Sequence, residues 1–196
     1  MKLIGALFLV AFFSAQSGSA QTGDGARFTK DSLLIPPDNY REWMFLSSGL
    51  GMTYGPNAPS PGAALRFDNV YVNPSSYQHF KRTGTWPDGT VLILEIRESQ
   101  SKGSINQHGH YQTGLVALEA NVKDSRRFSG NGWAFFDLTA REGKEVDAAK
   151  PIPPGNRCEQ CHKANGAVDN TFVQFYPELI PIAKKFGTFR PAELTR

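Results

Sequence analysis

Thr90–Arg97 reads TVLILEIR and Gly114–Val122 reads GLVALEANV. In an extended chain successive side chains point to opposite faces, so Leu92, Leu94 and Ile96 share one face of the first stretch. In the second, Val116, Leu118, Ala120 and Val122 form an apolar face, while Leu115, Ala117, Glu119 and Asn121 share the other. Trp43–Leu46, Phe67–Val72 and Trp133–Leu138 are similar short runs of large or β-branched residues bounded by Gly, Asn, Asp or Pro, which is the mark of strands. Connections such as Lys123–Asn131 are too short for a parallel crossover, so the pairing is expected to be antiparallel. Helical signals are fewer. Asn73 is placed to cap a short helix with Pro74 at its first position and Gly84 just past its end. Asp169 or Asn170 is expected to start another toward Phe186, interrupted by Pro177 and Pro181. The expected fold class is mainly β (α+β): an antiparallel β-sheet domain with a few short helices and a C-terminal segment carrying both cysteines.

Outward from this region, the chain opens like a secretory signal. Lys2 gives a positive start, Leu3–Phe13 is apolar and uncharged, and Gly18-Ser19-Ala20 fits a cleavage site of small residues. The competing reading is an uncut anchor, but the run falls short of the roughly 20 apolar residues a bilayer span needs. The expected division is a signal peptide over 1–20 and one domain over 21–196, periplasmic or secreted after cleavage near Ala20. Removing the signal takes away one lysine and no acid from a formal charge of +3. So weak a charge carries no nucleic-acid footprint, and no later segment reads as a membrane span. Residues 51–62, rich in Gly and Pro, read as a loop within the domain, and Pro151–Gly155 makes a second break just before the cysteines.

There are two cysteines, Cys158 and Cys161. Export favours a disulfide between them, but the next residue is His162, and Cys-x-x-Cys-His is the attachment sequence of c-type haem. The two thiols can add to the two haem vinyl groups, and the adjacent imidazole then becomes the axial iron ligand. A zinc site would need two further ligands that no second motif supplies. A thioredoxin-like pair would sit early, in a βαβ unit that this chain lacks. The cofactor expected is therefore one covalently attached haem c, with His162 the metal ligand in a C-terminal haem-attachment segment. No methionine follows His162; only Met44 and Met52 remain beyond the signal. His79, His108 and His110 read as surface residues. One protein ligand and an open side suit binding or transforming a small molecule rather than only passing electrons.

At this point the chain resembles the cytochrome P460 family and its close relative cytochrome c′-beta. The matching residues are Tyr40-Arg41-Glu42-Trp43, Val70-Tyr71-Val72 with Pro74, Tyr77 with Lys81, Thr83-Gly84 and Asp88-Gly89-Thr90-Val91. They continue through Leu118-Glu119-Ala120, Val122–Ser125, Arg127-Phe128, Trp133-Ala134-Phe135, Cys158–Lys163 and Phe175-Tyr176-Pro177. The resemblance implies a β-rich, homodimeric domain around one five-coordinate haem c. It implies that members with the full site oxidise hydroxylamine in the periplasm, using a lysine cross-linked to the haem ring and a distal carboxylate that accepts protons. The lysine position falls here on Leu94, and no lysine lies between Thr83 and Gln100. That departure resembles cytochrome c′-beta, whose unmodified haem binds gases such as nitric oxide. The carboxylate position falls on Glu119, giving it a haem-pocket role, whereas from its strand alone a solvent-facing glutamate is equally open. Phe67 and Phe45 are candidate pocket walls.

The function expected is an exported mono-haem c-type cytochrome with an open distal site that binds or transforms small nitrogen species, nitric oxide or hydroxylamine. Glu119 favours a haem-dependent oxidoreductase; Leu94 favours a gas-binding cytochrome without turnover. The alternative is a plain periplasmic electron-transfer cytochrome with a partner cytochrome.

Overall fold

The computed structural model describes residues 23–53, 62–140 and 143–190. The signal segment and most of the loop at 51–62 lie outside them. Five antiparallel strands follow one another in space as they do in sequence: β3 (Met44–Leu50), β4 (Arg66–Val72), β5 (Val91–Gln100), β6 (Tyr111–Lys123) and β7 (Trp133–Asp137). A two-stranded ribbon, β1 (Arg27–Phe28) with β2 (Leu34–Ile35), precedes them. Three short helices complete the chain: α1 (Pro74–Thr83), α2 (Arg157–Asn165) and α3 (Ile180–Lys185). The mainly β, α+β expectation holds, and each of the five strand segments read from sequence falls within one of β3 to β7 save for at most one residue at an end. No described helix is long and apolar enough to cross a membrane.

Both faces of the meander are covered, and strand parity decides which residue serves which face. Ile93, Leu118, Ala120, Val122 and Phe136 point to one side, where Leu34, Tyr40, Trp43 and Ala149 cover them. Val72, Leu92 and Trp133 point to the other, where Phe80, Trp86, Val173, Tyr176, Leu179 and Ala183 from α1, α3 and their connections pack. Fully burying one large apolar side chain contributes about 1.5–3 kcal/mol, so two covered faces hold the sheet firmly.

Helix α1 starts at Pro74 and stops where Gly84 takes φ of 72°. A Cβ at Gly84 would lie 2.7 Å from Cβ of Phe186, so both the turn and the close approach of the C-terminal segment demand glycine. Asn73 does not cap this helix with its side chain. It accepts from the Val91 N–H (2.8 Å) and donates to the Gly89 carbonyl (3.2 Å), tying the helix start to β5. Asp24 caps instead, accepting from the Ser75 N–H at 2.6 Å. The helix expected from Asp169 or Asn170 is also corrected. Both residues have left-handed φ, 48° and 59°, and regular helix appears only at Ile180–Lys185.

On the face away from α1, Glu95 is 2% exposed and fully engaged. It accepts from the Tyr40 hydroxyl (2.5 Å), Arg41 Nε (2.9 Å), Arg97 Nε (2.6 Å) and Asn69 Nδ2 (3.2 Å). Burial alone would raise its carboxyl, but the Arg97 and Tyr40 hydrogen bonds and the Arg41 charge outweigh burial and hold it below its ordinary value. A depressed folded-state pKa adds stability that is present above the unfolded value and is lost as pH falls through the folded one. Glu95→Ala strands buried donors and is expected to cost about 3–5 kcal/mol in a denaturant titration at neutral pH; an unchanged midpoint contradicts this.

Candidate functional site

Helix α2 carries both cysteines and His162, and its start is built by local chemistry. Asn156 accepts from the Glu159 N–H at 3.0 Å, while Glu159 reaches back to the Gly155 N–H at 2.6 Å. The first bond satisfies a donor that the helix start would otherwise leave unpaired, and the second ties down the residue just before the cap. The Pro153-Pro154 pair just ahead cannot continue a helix backward. Residues three and four apart share a helix face, so Cys158, Cys161 and His162 point the same way. That α2 is a helix was not read from the sequence; the Asn-x-x-Glu spacing was the available signal.

All three side chains line one cavity of about 510 Å³, closed on the other side by the sheet. That volume lies within the roughly 300–1,000 Å³ of small-molecule and cofactor sites. No disulfide joins Cys158 and Cys161. Burial pushes the Cys158 thiol up, and the Glu119 charge adds to it. The His162 Nδ1 lies 2.9 Å from the Asn170 carbonyl oxygen. A carbonyl only accepts, so Nδ1 carries the proton and Nε2 carries the free lone pair. Burial lowers the imidazole pKa, which keeps the ring neutral. Phe172 and Phe135 fix the ring, with centroids 4.2 and 4.9 Å away.

The sheet's contribution is a set of cross-strand rows. Val70, Leu94, Glu119 and Asp137 are successive partners across β4, β5, β6 and β7. Leu92, Asn121 and Phe135 form the next row. Leu94 and Glu119 are thus direct neighbours, and both line the cavity with His162. Burial raises the Glu119 carboxyl, and the charges of Asp137 and then Asp68 raise it further. Asp68 is a buried wall residue that the sequence reading missed, although its parity with Val70 was available. Asn121, Phe135, Phe172 and Met52 are further wall residues, and Phe172 and Met52 come from segments without a strand pattern.

Phe67 and Phe45 are not walls of this cavity. Phe67 pairs with Arg97, and Phe45 pairs with Tyr71, its ring 5.6 Å away; both lie on the opposite face. A bulge between Phe45 and Ser47 turns Ser47 and Gly49 inward instead. His108 and His110 are exposed and His79 is partly exposed; none of the three lines the cavity.

The donor set fits a haem. Two thiols and an imidazole with a free Nε2 converge from one helix face on a mainly apolar cavity, as covalent attachment and axial ligation require. The family model described as Cytochrome P460 matches residues 37–173, most of the chain and all of this site's strands and helix α2. No curated protein matches the chain.

Proposed function

The chain belongs to the cytochrome P460 family of haem cytochromes, and from that premise we propose that it is an exported, single-haem cytochrome c whose open distal side binds or transforms small nitrogen species. The observation that carries this reading is the direct pairing of Leu94 with Glu119 in the cavity that holds Cys158, Cys161 and His162. Haem, when bound, would supply an iron coordination position for a small ligand and a redox centre able to take electrons from it. Cys158 and Cys161 tether it by thioethers, and His162 presents Nε2 to the iron. Leu94 gives the pocket an apolar wall where the resemblance places a cross-linking lysine. Glu119, raised by burial and by Asp137, is a carboxyl suited to exchanging a proton with a bound ligand such as hydroxylamine. The signal-like segment at 1–20 supports export, and a homodimer is the assembly implied by the resemblance.

A second reading has one observation in its favour. Met52 is the single methionine among the described wall residues, and a thioether on the iron would make an electron-transfer cytochrome. An optical spectrum of the purified protein separates the two. The ferrous form is expected to be high-spin and to take up carbon monoxide or nitric oxide readily. A six-coordinate, low-spin ferrous spectrum that Met52→Ala converts to high-spin would establish the electron-transfer reading instead.

A further inference from the structure

The Asn170 carbonyl reaches His162 only because several separate devices bring it there. Asp169 and Asn170 form the centre of a tight turn in which the Thr171 N–H donates to the Val168 carbonyl at 2.8 Å. Both central residues have positive φ, 48° and 59°. Asp and Asn tolerate that region, but two in succession persist only where the surroundings hold them. Three contacts do so. The Lys123 ammonium pairs with the Asp169 carboxylate, and it also donates to the Trp86 carbonyl at 2.8 Å. The Trp86 indole N–H in turn donates to Thr171 Oγ1 at 2.8 Å, where Thr171 is 1% exposed. At the end of α2, a Cβ on Gly166 would lie 2.6 Å from the Asn170 carbonyl carbon and 2.7 Å from Thr171 N. Those are backbone atoms, which cannot swing aside as a flexible side chain would.

We propose that Lys123, Asp169 and Gly166 form a latch that presses the Asn170 carbonyl against His162 Nδ1 and so sets how strongly this imidazole donates to the haem iron. These are positioning residues, and the proposal rests on the haem reading above. Donation from Nδ1–H to a carbonyl raises the basicity of the ring. A more basic ring favours ferric over ferrous iron and lowers the reduction potential, one of the protein's means of tuning a haem. The latch therefore holds the potential down and favours ferric iron.

Lys123→Met has a diagnostic sign. Removing a positive charge would by itself favour ferric haem and lower the potential. Releasing the latch does the opposite. Losing such an outer partner weakens a metal site by about 10-fold at the low end, and where the ferric state bears that loss it is, for one electron, a rise of about 59 mV. Spectroelectrochemical titration of the holoprotein is expected to give that rise for Lys123→Met and, by an independent route, for Gly166→Ala. Lys184→Met on α3, which removes an equal charge elsewhere, is expected to leave the potential in place. A fall, or no change, in Lys123→Met protein whose circular dichroism matches wild type overturns the latch. Thr171→Val removes the acceptor of the Trp86 indole without changing any charge, and gives the same decision if Gly166→Ala does not fold. Failure of the haem reading is distinguishable, because the denatured wild-type chain would then carry no haem. In that case nitrogen NMR of His162 decides: loss of the Nδ1–H tautomer in Lys123→Met supports the latch, and its retention overturns it.

Discussion

Cys158→Ala with Cys161→Ala is expected to abolish covalent haem completely. Denatured wild-type chain should carry haem with it on a gel, and the double variant should release it. The expectation follows from placement rather than from the motif alone. The two thiols are three residues apart on α2, they share the face that bears His162, and both line the cavity. Each single replacement should leave one thioether, so that haem stays with the chain but with altered absorption. His162→Ala should keep the thioethers and lose the axial bond, which separates attachment from ligation. Haem that acid and organic solvent extract from the wild-type chain would remove the basis of the reading.

The second large effect concerns Leu94 and Glu119. Cross-strand partners have Cβ atoms about 4.5–5.5 Å apart, so a lysine introduced at Leu94 enters the pocket beside Glu119 and faces whatever α2 holds there. Wild-type protein treated with pyridine is expected to give an ordinary c-type spectrum, and its hydroxylamine oxidation is expected to be weak or absent. Leu94→Lys makes a cross-link possible. Any oxidation gained should then depend on Glu119, because taking a proton from bound substrate needs an acceptor within hydrogen-bond reach. Glu119→Ala in that background is expected to lower the rate by about 10²–10⁴. Wild-type turnover that Glu119→Ala leaves unchanged would contradict this. So would mass spectrometry of the wild type that finds a side-chain cross-link to haem beyond the two thioethers.

The strands and the first helix were legible because their signals are local. Alternation in Val91–Lys123, Pro74 at a helix start and Gly84 past its end act within a few residues of themselves, and the fold respected them. Errors arose where distant chain segments compete for the same backbone groups. Asn73 looks like a side-chain cap, but β5 takes its side chain and Asp24, far back in sequence, caps the helix. Asp169 and Asn170 look like helix caps, but Lys123 and Trp86 hold their segment in a left-handed turn. The bulge after Phe45 likewise has no local signal, and it reassigns which β3 residues face the cavity.

The sequence by itself determined the five strands, the parity that puts Leu94 and Glu119 on definite faces, and the Cys-x-x-Cys-His motif, since each depends on residue types at short fixed spacings. Only the tertiary structure decided that the polar face of β6 is the wall of a cavity rather than a solvated surface, because that depends on α2 and the C-terminal segment covering it. It also decided that Leu94 and Glu119 are partners, through a register that the whole meander fixes. And it decided the state of His162, whose proton is held on Nδ1 by a carbonyl that an ion pair from a distant strand keeps in place.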